Sequence, residues 1–521
     1  MPANQITPTN PRLAPLLNEV TRGNVKIPVF QREFVWTDEQ VMGLLDSIYR
    51  GYPVGSLLLW STKNTLDYQR EVGGFKLPTT PADYPVNYVL DGQQRLTTLY
   101  GVFNSDAPTE KPDLAARFNV MFVPSKDEFM HASVAPPESI NLRVLLDTTR
   151  LLPELRRFSD EDQRRIAAVV ERFKDYEFPV VTIKDRSNQE VCRIFQRINS
   201  SGTSLSTLEL LAAWTWSDKF DLRREIEGLQ ERLADRGYGD LEDNLLMRCL
   251  AAVVTRDIET DSLVDAPADK LVEGMVRVKE AMNLAIDFLE HELKIRNVTF
   301  VPFPIMLVPL VQFFAVTSKP NPDQRKELRR WFWNCAFTQR YRAGTNRLVR
   351  EDLAAMDLLA RGGSPFSSLN SKIDRAVFMQ TWRINSTAAK AMICMLAQYR
   401  PMSFPSGAAV DLGRTMAAYN AREFHHIYPK AHLASLGIQF HQSNVLANIC
   451  MLTADDNKAI SDDAPSIYMP KIHDDFRKTA LDRALVPPEC QSGVASYADF
   501  VLRRSQALAL TAETLIRTGN P

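Results

Sequence analysis

Through the first 185 residues, short apolar runs alternate with turn-forming clusters: Gly55–Trp60 (GSLLLW), Val86–Leu90 (VNYVL), Phe118–Val123 (FNVMFV) and Phe178–Ile183 (FPVVTI). Runs of this length, rich in Val and aromatic residues and interleaved with helical periodicity, predict the strands of a mixed α/β domain. After Ser206 the period changes. Leu208–Leu233, Ala266–Leu293, Asp323–Phe337 and Ala376–Leu396 carry apolar residues at helical spacing with few strand signals between them, which predicts a helical middle domain. The Pro-, Ser- and Gly-rich stretch Arg400–Val410 marks the next boundary. Beyond it lie two short apolar strands, Phe424–Ile427 and Ile449–Leu452, and an amphipathic helix over Ala495–Arg517. The expected class is α+β and multi-domain, with domains at 8–203, 204–400 and 401–521.

The composition narrows the function. The chain carries 62 Lys plus Arg against 63 Asp plus Glu, a formal charge of -1, so any nucleic-acid surface must be local rather than a property of the whole molecule. Six cysteines lie far apart with no C-x-x-C pair, which excludes a zinc ribbon or a disulfide framework and predicts a reducing, cytoplasmic setting. The N-terminus has no basic segment followed by an apolar one, and the apolar run Val301–Val316 contains prolines and is shorter than the ~20 residues a membrane span needs. No Gly is followed by Lys, so the phosphate-binding loop GxxxxGK[ST] is excluded.

Three segments of the first domain carry candidate chemistry. In VNYVLDGQQRLTTLYGVF a strand meets a tight turn at Asp91 and Gly92 and then a helix beginning near Gln93. The first N–H groups of such a helix are unpaired and its dipole favours negative charge, so the turn is suited to an anion. Arg95 adds a planar fork for phosphate, with the hydroxyls of Thr97 and Thr98 nearby. Asp91 with Gln94 equally fits a D-x-x-Q capping box, which would be helix-start chemistry alone. In IPVFQREFVW, Gln31 and Arg32 form a polar pair between aromatics. In FQRINSSGTSLSTLELLAAW, Ser206 with Glu209 reads as a capping box behind a donor-rich loop at 199–203, and Arg197 and Asn199 stand at its entrance.

Five of the seven histidines, His425, His426, His432, His441 and His473, fall in one stretch. A one-metal nuclease needs a base to activate water, a cation to stabilise charge on the phosphate and a group that orients the base. Imidazole suits the base because it titrates near neutrality. EFHHIYPKAHLASLGIQFHQSNVLANICMLTADDN places His425 and His426 on opposite faces of a short strand, Asn448 at the start of a second strand, and Asn457 near a following helix. The bland alternative is a His-His pair that merely packs. His432, His441 and His473 are assigned no role.

Two resemblances follow. IPVFQREFVW, GYPVGSLLLW, DGQQRLTTL and FQRINSSGTSLS, in that order over roughly Pro8–Trp214, resemble the DGQQR family, the ParB-like domain of GmrSD-type modification-dependent restriction enzymes and of the related phosphorothioate-sensing nickase SspE. The resemblance implies nucleotide binding and hydrolysis at Asp91, Gln93, Gln94 and Arg95, with Asp91 holding Mg²⁺ or polarising water and Arg95 on phosphate. Arg197 and Asn199 would join the nucleotide site, and Gln31 and Arg32 would lie on the nucleotide or on modified DNA. GTP is favoured, with UTP, CTP and ATP open. The C-terminal segment resembles the HHIxPK variant of the HNH (ββα-metal) nuclease fold. That implies His426 as general base, His425 and Asn457 as metal ligands, Asn448 orienting His426, and Lys430 and Lys458 on phosphate. Many HNH sites carry Asp or Glu where His425 stands, so the choice among Mg²⁺, Mn²⁺ and softer metals stays open. Together the resemblances imply an NTP-regulated, metal-dependent endonuclease or nickase acting on modified foreign DNA, with a homo-oligomer left open. The alternatives are a ParB-like DNA-binding switch with an inactive HNH element, and a toxin-like nuclease indifferent to modification.

One further stretch, 323–350, gathers Arg325, Lys326, Arg329, Arg330, Arg340, Arg342, Arg347 and Arg350 among Trp331, Trp333, Phe337 and Tyr341. Basic and aromatic residues so mixed can track a nucleic-acid backbone, with Arg340 and Arg342 as the DNA contacts. The alternative is a helix that buries Trp331, Phe332, Cys335 and Ala336 while its arginines are solvated or ion-paired.

Overall fold

The computed structural model describes residues 6–28, 34–63, 68–69, 71–77, 85–104, 108–184, 186, 190–191, 193–194, 208, 211–212, 215, 220–416, 424–452 and 454–521. The chain forms two compact units, Met1–Asp221 and Leu222–Pro521.

The first unit contains strands β1 (Ile6–Thr9), β2 (Val25–Lys26), β3 (Leu57–Thr62), β4 (Glu71–Val72), β5 (Phe75–Lys76), β6 (Val86–Asp91), β7 (Val120–Val123), β8 (Glu128–His131), β9 (Ile140–Asn141) and β10 (Val180–Lys184). Five of them make a mixed sheet in the order β1-β10-β3-β6-β2, in which β10 runs parallel to β3 and β2 parallel to β6. The four apolar runs of the sequence are thus strands, although Phe118–Val123 supplies β7 of a separate sheet, β8-β7-β9. Side-chain alternation sorts the large sheet's residues. Leu57, Leu59, Val89 and Val180 join one core with helices α1 (Leu13–Thr21), α2 (Asp38–Tyr49), α3 (Gln93–Phe103) and α4 (Asp160–Asp175). Trp60, Val86, Tyr88, Leu90 and Ile183 form a second, smaller cluster.

The second unit is built on helices α5 (Asp243–Thr255), α6 (Ala268–His291), α7 (Leu307–Val316), α8 (Pro322–Phe337), α9 (Thr345–Ala360) and α10 (Thr387–Gln398). In α7 every residue from Leu307 to Phe314 is buried, as expected of a helix apolar all round and placed at a core's centre. It contacts α5, α6 and α9. Among the described residues, no helix is long and apolar enough to cross a membrane. Position 400, where the composition changes, lies inside this unit. There, α10 contacts strand β12 (Ile449–Met451), which pairs antiparallel with β11 (Phe424–His426).

The arginine-rich stretch takes the second of its two expected forms, a helix with a buried apolar face and ion-paired arginines. The apolar face of α8 is buried, including Trp331, Phe332, Trp333 and Cys335, and most of the arginines are engaged by carboxylates. Arg325 and Arg329 pair with Glu292, Arg330 with Glu327, Arg347 with Glu351, and Arg350 with Asp257 and Glu259. Arg340, expected on DNA, donates through Nε (3.1 Å) and Nη2 (2.9 Å) to Asp352 and also pairs with Glu351. Its guanidinium is held by two carboxylates and is not displayed for phosphate. Arg342 and Lys326 are exposed and make no ion pair among the described residues.

Asp352 is the hub of this region. Its buried carboxylate accepts from Arg340, from Trp331 Nε1 at 3.0 Å and from the Tyr341 hydroxyl, tying α8 to α9. Replacing it strands a guanidinium, an indole N–H and a phenol together. Asp352→Ala is expected to lower stability by roughly 3–5 kcal/mol, read as a fall in the urea midpoint at unchanged m value.

Candidate functional site

In the first unit, β6 delivers Asp91 to a turn built on glycine. Leu59 pairs with Val89 and Leu58 with Asp91, so Leu90 is an extra residue and the strand bulges just before Asp91. Gly92 caps α3 at a φ of 89°. A Cβ there would lie 2.4 Å from Leu57 Cδ2 and 3.0 Å from Arg95 Nη2, so no other residue fits. The expected capping box is not formed. Arg95 Nη2 donates to Asp91 Oδ2 (3.2 Å) and to the Ser56 carbonyl (2.7 Å), while Gln94 Oε1 accepts from Val35 N–H (2.9 Å). The N-terminus of α3 therefore has no side-chain cap. Arg95 Nε is a buried donor with no partner among the described residues. Gly55 abuts the same guanidinium, where a Cβ would approach Nη1 to 3.1 Å. Thr97 and Thr98 face the interior and offer nothing to the turn. Gln31, Arg32, Arg197, Asn199, Ser206 and Glu209 lie outside the described residues.

In the second unit, β11 and β12 pair with His425 opposite Cys450 and His426 opposite Ile449. Both histidines line a cleft of about 620 Å³, together with Lys430, Lys458, Asp462 and Tyr468. The two lysines singled out by sequence are thus beside the two histidines. Asp462 is an addition that periodicity did not signal. Asn457 falls in the helix α12 (Ala454–Ile460), and its side chain is outside what the structure describes.

The group that holds His426 is not Asn448. Asn448 is fully buried: its Oδ1 accepts from Tyr428 N–H (2.9 Å) and its Nδ2 donates to the carbonyls of Tyr428 (3.0 Å) and Ser443 (3.0 Å). It locks the turn that follows His426, with both amide hydrogens spent on backbone carbonyls of the turn and of Ser443. His426 Nε2 instead lies 2.9 Å from Asn444 Oδ1. Asn444 is oriented in turn by Trp382, since its Nδ2 donates to Trp382 O (3.3 Å) and Trp382 N–H donates to Asn444 O (2.8 Å). An amide oxygen only accepts, so His426 carries its proton on Nε2 and Nδ1 is the basic nitrogen. Burial pulls the ring's pKa down to about 4, against the Asn444 bond and with Lys430 and His425 adding to the fall. His426 is accordingly a neutral imidazole at neutral pH.

Sequence reasoning missed Asn444 and Trp382 because they come together only through a bridge between Thr381 and Val445, segments far apart in the chain. The frame is extended by Tyr468, whose hydroxyl donates to Ile427 O (2.8 Å), and by Arg504. The buried guanidinium of Arg504 donates to the carbonyls of Ala447 (2.8 Å) and Ala484 (2.8 Å). Of the remaining histidines, His473 caps a helix, accepting from Asp475 N–H at 3.4 Å, and His441 is exposed. The grouping Asp287, Glu290 and His291 on α6 is already neutralised by Arg236, which pairs with both carboxylates at 2.7 Å.

Residues 13–216 match the family model of the GmrSD restriction endonuclease N-terminal domain. That span contains the Asp91–Arg95 turn and is similar to the N-terminal domain of GmrSD restriction endonucleases. An uncharacterized protein of Methanocaldococcus jannaschii is 23% identical over 518 aligned residues, covering 88% of this chain and 86% of its own.

Asn448→Ala would leave the buried N–H and carbonyl of Tyr428 without their partner, while Ser443 O keeps the Tyr497 hydroxyl at 3.2 Å. A loss of roughly 3 kcal/mol in unfolding free energy is expected by denaturant titration, and unchanged stability would remove Asn448 from the frame of the site.

Proposed function

We propose that this protein is a nucleotide-regulated DNA endonuclease or nickase of the modification-dependent restriction type, acting on foreign DNA in the cytoplasm. The observation that carries the proposal is His426: a neutral imidazole, oriented through Nε2 by Asn444, in a cleft shared with His425, Lys430 and Lys458. In this reading His426 Nδ1 takes a proton from the attacking water as its oxygen bonds to phosphorus and the bridging P–O bond breaks. Lys430 and Lys458 bind the phosphate oxygens. The donors in the cleft, an imidazole and the Asp462 carboxylate, are a nitrogen and oxygen set that suits a divalent cation. His425 and Asn457 would hold Mg²⁺, Mn²⁺ or a softer metal, which when bound supplies charge stabilisation to the phosphate. The region belongs on this account to the HNH class.

In the first unit, Asp91, Gln93, Gln94 and Arg95 would hold a nucleoside triphosphate, GTP favoured over UTP, CTP and ATP, with Gln31, Arg32, Arg197 and Asn199 beside it. Support comes from the α3 N-terminus, whose cap Gly92 brings no side chain, and from the buried Arg95 Nε, which has no partner among the described residues. Asp91 orients water or a metal at the phosphate, and Arg95 neutralises the charge that develops. Nucleotide state would regulate cleavage if nucleotide binds the cutting and non-cutting states with different affinity. Outside the cleft, Arg342 is the remaining candidate for a DNA contact.

His426→Ala is expected to reduce cleavage of supercoiled plasmid or modified phage DNA by about 10²–10⁴-fold while phosphate release from NTP continues; loss of both activities together would argue against two separable sites. Asp91→Ala and Arg95→Ala are each expected to abolish phosphate release from GTP. Undiminished release from the purified variants would remove the turn from the nucleotide site.

A further inference from the structure

From Phe424 to Ala454 the chain carries no aspartate or glutamate, although 63 of its 521 residues are acidic. The same stretch puts two large apolar side chains into water: Leu436 and Phe440, each 61% exposed. Leu436 ends the helix α11 (Lys430–Ser435), and Phe440 begins the next short helix, Phe440–Ser443, which contacts α11. A single exposed leucine means little, because much of any protein surface is apolar. These two stand on one helical pair beside a reactive cleft. The Lys430 ammonium lies 5.0 Å from the centroid of the Phe440 ring, and Lys430 lines the cleft with His425 and His426.

The chemistry of this rim matches one partner. Among the residues lining the cleft, Lys430 and Lys458 outnumber the single acid, Asp462, a balance that attracts phosphate, and an aromatic ring exposed beside it has a nucleobase as its natural counterpart. Apolar side chains that enter a duplex between base steps unstack them and bend the helix axis. We propose that Phe440, together with Leu436, enters the base stack of DNA held at the cleft, so that the nuclease engages a locally unstacked step while Lys430 binds the adjoining phosphate. The proposal rests on the DNA-cleaving reading above and adds how the substrate is gripped.

Synthetic duplexes with 2-aminopurine at successive positions, unmodified and with hydroxymethylcytosine, test it on the full-length protein in EDTA, where binding is separated from cutting. Wild-type protein is expected to raise 2-aminopurine fluorescence at one or two adjacent positions. Phe440→Ala is expected to lose that rise and, with metal restored, to raise KM for cleavage roughly tenfold or more, whereas Phe440→Trp keeps both. Phe440 is exposed, so its replacement leaves the thermal melt unchanged. If the wild type binds and cuts DNA but Phe440→Ala retains the fluorescence rise and the KM, the base-stack contact is overturned and the nuclease reading stands. If the wild type binds and cuts neither duplex, both fall.

Discussion

The side-chain amide of Asn448 acts as a strand partner for a turn that has none. Tyr428 follows directly on the His425-His426 strand, and its backbone N–H and carbonyl both bond to Asn448, whose remaining amide hydrogen goes to Ser443 O. A turn this deeply buried needs every polar group paired, because each unpaired one costs about 1–3 kcal/mol. Once the turn is set, the other elements of the cleft follow. Ile427 O receives the Tyr468 hydroxyl, Lys430 starts a helix over the cleft, and Ser443 and Asn444 are placed so that Asn444 meets His426. Arg504, buried without a carboxylate partner and donating to carbonyls, holds Ala447, the residue before Asn448, from the other side.

Charge in this molecule is local. The arginines crowded between 323 and 350 cement helices to one another through Glu292, Glu327, Glu351 and Asp352, so the densest basic run of the sequence contributes packing more than field. The surface around His426 works the opposite way: Lys430 and Lys458 line its cleft with one acid, Asp462, and the stretch from Phe424 to Ala454 carries none. A chain of net charge -1 has little general attraction for DNA backbone, and on the proposed reading would rely on groups such as these, placed at one cleft. That arrangement suits a proposed enzyme that must spare unmarked DNA.

The first unit shows why a sequence pattern and its meaning separate. D-x-x-Q is present at Asp91 and Gln94, but a capping box needs the acid at the cap itself, and the cap is Gly92 in the left-handed region. With Asp91 one residue upstream on a bulged strand end, its carboxylate meets Arg95 and not the helix N–H groups. The glycine, the strand and the helix were legible. The identity of each side chain's partner was not, because Ser56 and Val35 arrive from other parts of the sheet and its flanking segment.

Alternation and helical period were enough to mark β3, β6, β7, β10, β11 and β12 and the helices α6 and α8, because those patterns reflect local backbone geometry and one buried face, whereas α7 was legible only as an apolar run. Residue type and spacing were enough to bring His425, His426, Lys430 and Lys458 together as candidates. Tertiary structure alone decided that Arg340 is sequestered, that Asn448 supports a turn while Asn444 holds the imidazole, and that Trp382, from before the expected boundary at 400, orients Asn444. Each of these depends on a hydrogen bond or ion pair between segments distant in sequence. Such a partner is selected by which groups burial leaves unsatisfied, a quantity that exists only once the chain has folded.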